Sequence, residues 1–215
     1  MRTHPGRFAS KPRDRWLAAA ALAALLTAAA AGAQPPSGPT HDDAARSYFT
    51  DVVLIDQDGE EMRLYSDLLK DRIVVIGAMF TDCDGVCPVT MGNFKKIQDW
   101  LGPRLGKEVH LLALTVDRET DTPEVLKAYA KKFKARPGWH FLTGTPENIN
   151  FALRKLGLWV EKREGHASLF LVGNVPTGLW KKAHGMSSAQ ALIAIVDSVL
   201  GDRLETLPDA EHAGR

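Results

Sequence analysis

Residues 71–88 read Asp-Arg-Ile-Val-Val-Ile-Gly-Ala-Met-Phe-Thr-Asp-Cys-Asp-Gly-Val-Cys-Pro. The run Ile73-Val74-Val75-Ile76 is rich in β-branched side chains and bounded by charge, the pattern of a central strand buried on both faces. Pro88 suits the first position of a helix. Phe94, Ile97 and Leu101, at steps of three and four, give that helix one apolar face before Gly102-Pro103 ends it. Cys83 and Cys87 therefore lie after a central strand and before a helix, where exposed backbone N–H groups and the helix dipole stabilise thiolate. A proline disfavours helical backbone in the residue before it, so Cys87 is expected in a loop with Cys83, turned by Asp84-Gly85 so that the sulfurs meet.

Outward from this segment, strands and helices alternate. On the N-terminal side, Asp51 to Ile55, the turn Asp56-Gln57-Asp58-Gly59 and Glu60 to Leu64 predict a β-hairpin. On the C-terminal side, Val109 to Val116 is a second buried strand. Thr122-Pro123-Glu124 caps a helix with Leu126, Tyr129 and Phe133 on its core side, closed by Pro137-Gly138. Trp139 to Thr143 is a short strand, and Thr145-Pro146 opens a helix facing inward with Ile149, Leu153 and Leu156. Leu169 to Val172 and Leu179 to Lys182 flank a turn rich in Gly, Asn and Pro, as an antiparallel hairpin. Ser187 with Gln190 forms a capping-box pattern for a last helix through Leu192, Val196 and Val199. The fold class this implies is α/β and thioredoxin-like: a central mixed β-sheet flanked by helices, with an N-terminal β-hairpin extension.

The chain's ends differ in composition. Arg2, Arg7, Lys11, Arg13 and Arg15 precede an Ala- and Leu-rich run from Trp16 to Ala31, and Ala31-Gly32-Ala33 has the small-x-small form that a signal peptidase accepts. The expected organisation is a signal peptide over 1–33, a linker over 34–47, one domain over 48–201 and a polar tail over 202–215. The apolar run is shorter than the roughly 20 residues a spanning helix prefers, which favours cleavage over an uncleaved anchor. The expected location is the bacterial periplasm, soluble or tethered to the inner membrane. A formal charge of +1 gives no electrostatic reason to invoke nucleic acid.

The two cysteines, Cys83 and Cys87, would meet an oxidising compartment, as a disulfide, a redox pair or a metal site. One bridge closing so short a loop stabilises a domain little, which weakens a purely structural role. Two thiolates are soft ligands that select Cu(I), with zinc as the common competitor. Asp82, Asp84 and Asp117 are carboxylates near the motif. Asp117 has the best case for orienting a ligand, because it ends the strand beside the motif strand. Met79 and Met91 are soft side chains whose expected role is core packing. Among seven histidines, His4 and His41 lie in the leader or linker, His212 in the tail, His110 opens a strand and His140 reads as packing.

The order and spacing of four blocks resemble the Sco/SenC family: Cys83-x-x-x-Cys87-Pro88, Thr115-Val116-Asp117-Arg118-Glu119-Thr120-Asp121-Thr122-Pro123-Glu124, Gly138-Trp139-His140-Phe141-Leu142-Thr143-Gly144, and His166 before a strand. The resemblance runs from about Phe49 to Leu200. It implies a thioredoxin fold and one copper ion, Cu(I) or Cu(II), held by Cys83, Cys87 and His166, with His184 as the reserve histidine. It also implies that Cys83 and Cys87 can pair as a disulfide. The implied function is a metallochaperone for a copper centre of cytochrome c oxidase. Its partner would be a copper-accepting protein, such as an oxidase subunit or another periplasmic copper chaperone. The alternative is a periplasmic thiol-disulfide oxidoreductase that reduces the acceptor's cysteines, with Cys83 and Cys87 as the redox pair. Gly173-Asn174-Val175-Pro176 stands where many relatives have Asp-Pro-Asp-Gly, a departure that bears on partner choice.

Overall fold

The computed structural model describes residues 40–162 and 168–202. Its five-stranded sheet has β3 (Ile73–Met79) at the centre, flanked by β4 (Val109–Thr115) and β6 (Leu169–Asn174), with β5 (Trp139–Leu142) and β7 (Leu179–His184) at the edges. β3 runs parallel to β4 and antiparallel to β6; β4 and β5 are parallel, and β6 and β7 form an antiparallel hairpin. From Val74 to Met79, and along all of β4, every residue is buried, which is why these segments are nearly continuous apolar runs rather than alternating. The hairpin β1 (Val53–Ile55) and β2 (Glu61–Arg63) forms a separate two-stranded sheet, as expected of the N-terminal extension.

Four further helices complete the architecture: α2 (Val86–Leu101), α3 (Pro123–Lys132), α4 (Pro146–Lys155) and α5 (Ala189–Leu200). Thr122 and Thr145 cap α3 and α4 through their hydroxyls, each with proline next in the chain. α2 lays Phe94 over Gly77 of β3, where a Cβ would come within 3.0 Å of the ring. Phe94 also packs on Phe170 and stacks on Trp139, at centroid separations of 4.7 and 5.7 Å. This aromatic cluster welds α2 to three strands of the sheet.

Three local expectations are corrected. A helix, α1 (His41–Phe49), occupies the second half of the stretch expected as linker. The polar composition hid a capping box between Thr40 and Asp43, which satisfies two helix-end N–H groups. Burial of Ala45 and Phe49, the latter against Trp180, supplies what so short a helix lacks on its own. Leu64 does not extend the hairpin. It begins a π-helical turn, Leu64–Leu69, that buries Leu64, Tyr65, Leu68 and Leu69. The last helix is capped by Ser188 and not Ser187, whose N–H and carbonyl are already bonded to His184 and Asn93.

Near the start of β4, His110 lies parallel to His140, at 6.2 Å between centroids, and His140 Nδ1 is 3.5 Å from the buried Asp56 carboxylate. Burial pushes His110 down to about 4, with the charges of Arg72 and His140 acting in the same direction. Burial also lowers His140, against the opposing pull of Asp56. An unfolded histidine binds its proton near pH 6.5, so stability is complete above that pH and falls as the pH drops toward the folded value. Between pH 7.5 and 5, His110 should account for a loss on the order of 2 kcal/mol. In urea unfolding at these two pH values, His110→Phe should lose correspondingly less than the parent; an equal loss would refute the assignment.

Candidate metal centre

The site lies where β3 ends. Phe80 and Thr81 leave the sheet, Cys83 follows in the turn, and α2 begins at Val86, so that Cys87 falls in its first turn. This corrects the expectation that both cysteines share a loop. The first N–H groups of a helix have no intrahelical partner, so Pro88 sacrifices nothing there, and this outweighs the pre-proline preference at Cys87. No side chain caps α2, leaving the positive end of a 16-residue helix beside the sulfurs.

No disulfide joins Cys83 and Cys87 in this structure. They differ in exposure: Cys87 is 1% exposed, whereas Cys83 is half-buried. Burial pushes the Cys87 thiol up, and its hydrogen bond with Cys83 acts the same way; a backbone hydrogen bond from Phe80 opposes them. Cys87 is thus kept as neutral thiol until something binds or oxidises it. A soft cation that replaces the protons gains two thiolates already brought together.

A buried carboxylate holds this arrangement, and it is not one that the sequence reading singled out. Asp121, 1% exposed, accepts hydrogen bonds from the Thr81 N–H at 3.2 Å, the Thr81 hydroxyl at 2.5 Å and the Thr115 hydroxyl at 2.5 Å. It thereby ties the chain just before Cys83 to the end of β4. Burial raises its pKa and the threonine bonds pull it back. The favoured candidate, Asp117, is also buried; its N–H donates to Thr115 Oγ1 and its carboxylate accepts from the Thr120 N–H. Asp82 and Asp84 are exposed. The available signal for Asp121 was its place immediately before the helix-capping Thr122, where the chain turns back under the site.

His166 lies outside the described residues. At Ser168, the next described residue, the hydroxyl is 2.8 Å from that of Thr90, three residues after Cys87 on α2. Gly185, after β7, packs against the same pair; a Cβ there would run into the Ser168 hydroxyl. Asn93 of α2 donates to the Gly185 carbonyl at 2.9 Å, locking the end of the hairpin onto the helix that carries Cys87. His184 is exposed and its Nδ1 accepts from the Met186 N–H. Met79 and Met91 are wholly buried in the core. Among the described residues, no three His, Cys, Asp or Glu side chains converge to hold a metal ion. No helix among them is long and apolar enough to cross a membrane.

Replacing Asp121 with Ala leaves the Thr81 N–H and hydroxyl without their acceptor and the Thr115 hydroxyl with only the Asp117 carbonyl at 3.4 Å. The variant should lose about 2–4 kcal/mol in urea unfolding, with faster alkylation of Cys87 as the turn loosens; a loss below 1 kcal/mol would show that Asp121 does not hold the turn.

The sequence pattern of the SCO1/SenC family matches residues 40–196. The chain is 31% identical over 126 residues to the SCO1 protein homolog of Bacillus subtilis, covering 54% of this chain and 64% of that protein. It is 30% identical over 105 residues to a candidate copper-binding protein of Stutzerimonas stutzeri, covering 49% of this chain and 50% of that one. The match thus spans between half and two thirds of these relatives' length. Among solved structures, BsSco, a member of the Sco family of cytochrome c oxidase assembly proteins with an identified disulfide switch, superposes with a TM-score of 0.57 at 28% identity. That superposition covers 69% of this chain and 90% of BsSco. With the family pattern running through the sheet, the cysteine turn and most of α5, this chain belongs to the SCO1/SenC family.

Proposed function

We propose that the protein is a copper metallochaperone that carries one copper ion on Cys83, Cys87 and His166 and delivers it during assembly of a copper centre of cytochrome c oxidase. The observation that carries this reading is the thiol pair itself: two soft donors, hydrogen-bonded to each other at an uncapped helix N-terminus, in a chain of this family. Similarity to a candidate copper-binding protein and to an oxidase-assembly family member supports the choice of cargo and destination. Chain reach supports the third ligand. Two residues span at most about 7 Å, and His166 stands two residues before Ser168, which is anchored to Thr90 of the Cys87 helix.

The differing exposure of the sulfurs suits transfer. Cys87, buried, serves as the retained ligand, and Cys83, half-buried, is the one an incoming donor can displace. Two thiolates and one imidazole leave copper open to a further ligand from the acceptor, so the ion can pass by exchange without being free in solution. The acceptor is a copper-accepting protein, an oxidase subunit or another periplasmic chaperone, which places the domain on the exported side of the membrane.

The adjacent thiols also suit a second reading, a thiol-disulfide reductant. Cys83 and Cys87 would form a disulfide, releasing two electrons and two protons to a disulfide in the acceptor, which becomes a dithiol. The disulfide switch of BsSco favours keeping it.

Copper content after Cu(I) loading of the reduced protein against a competing chelator tests the first reading. One copper per chain is expected. Cys83→Ala or Cys87→Ala should abolish retention, while His166→Ala should weaken it at least tenfold, about 1.4 kcal/mol, without lowering the melting temperature. A double cysteine variant that still holds stoichiometric copper would refute the site; no copper in the parent, with a readily cycling disulfide, would leave the reductant. Because thiols must lose their protons to bind, retention should strengthen from pH 6 to pH 8.

A further inference from the structure

The β6–β7 hairpin, α1 and the end of α4 enclose a cavity of about 420 Å³. β6 sends Phe170 toward Phe94 of α2 and, by strand alternation, Leu171 to the opposite face, so the cavity lies across the sheet from the helix that carries Cys87. Two glycines shape it. Trp180 lies over Gly173, where a Cβ would come within 2.5 Å of the indole, and the His41 ring sits beside Gly178, where a Cβ would come within 2.8 Å. His41 Nε2 donates to the Val175 carbonyl at 2.9 Å, fastening α1 to the hairpin.

The lining sorts by chemistry. Its interior is apolar, with Phe49, Leu156, Leu171 and Val175 all buried. Three cations stand where the lining meets solvent: Arg154 and Lys182 are exposed, and Lys155 is half-buried. Arg154 and Lys155 are held on aromatic faces, each 4.2 Å from the ring centre, of Trp159 and Tyr48 respectively. No carboxylate stands among the described residues of the lining, and within the described residues none of the three cations forms an ion pair. The C-terminal end of α4 explains positive charge at 154 and 155. It does not explain Lys182, which comes from β7 and brings its Nζ within 3.7 Å of where a Gly157 Cβ would stand. Two walls thus bring uncompensated positive charge to the opening of an apolar cavity.

We propose that this cavity binds an amphiphilic anion, an acyl chain ending in a carboxylate or phosphate, with the chain against Trp180 and Leu171 and the head between Lys182 and the α4 cations. The chain releases water from the apolar lining, and the head supplies the negative charge that the opening lacks. A neutral amphiphile would satisfy only the lining, and a small anion only the opening. The proposal does not rest on the copper reading, since none of its residues belongs to the cysteine turn.

Calorimetric titration of the protein with decanoate, kept below the concentration at which it forms micelles, tests this. One saturable site is expected. Decanol, which keeps the chain without the charge, should bind about tenfold more weakly, and acetate, which keeps only the head, should not bind. Lys182→Ala should weaken decanoate about fivefold, as for one exposed charge pair, and Lys182→Arg should restore it. Decanoate should also change the tryptophan emission, and Trp180→Phe should remove most of that change. The proposal is overturned by the absence of a saturable site, by decanol binding as well as decanoate, by an unchanged Lys182→Ala variant, or by an emission change that survives Trp180→Phe intact. Vesicles identify the source of the anion. Sedimentation with phosphatidylglycerol but not phosphatidylcholine vesicles, competed by decanoate, makes it a membrane lipid; decanoate binding without vesicle association makes it a free acyl anion.

Discussion

The hydrogen bonds that Asp121 accepts from Thr81 and Thr115 set where the chain leaves the sheet, and the cysteine pair depends on that exit. β3 and β4 run parallel, so their ends arrive together, but the segments that follow diverge into α2 and α3. A buried carboxylate shared between the two ends keeps the turn at Thr81 closed over the sheet. Desolvating a carboxylate is costly, and it is tolerated here because three donors converge on it.

From that exit point the chemistry of the thiols follows. Cys83 lies in the turn and Cys87 in the first helical turn, so one sulfur is half-buried while the other sits within the core. Burial favours the neutral form of Cys87, whereas the uncapped end of α2 favours its anion. The balance keeps Cys87 protonated while leaving it ready for a soft cation.

The other half of the architecture brings a distant part of the chain to the same place. β6 pairs antiparallel with β3, so its start lies beside the end of β3, and the Ser168–Thr90 bond, the close fit at Gly185 and the Asn93 amide seal it to α2. These contacts join residues some eighty positions apart and involve small polar side chains that carry no pattern along the chain.

The sequence by itself determined the elements and the motif. Continuous β-branched and apolar runs can only be strands buried on both faces; threonine-proline pairs open helices because hydroxyl and ring suit a helix N-terminus; and two thiols between a strand and a helix announce soft-metal or redox chemistry. It did not reveal α1, whose polar composition concealed a capping box and a burial surface supplied by Trp180, nor the start of α2 at Val86, where a local proline rule yielded to the free N–H groups of a helix end. Only the tertiary structure decided which carboxylate ties the chain before Cys83 to the end of β4. Asp117 and Asp121 are alike as letters. What marks Asp121 is the set of donors that Thr81 and Thr115 bring to its buried oxygens, a set that exists only once β3 and β4 are packed together.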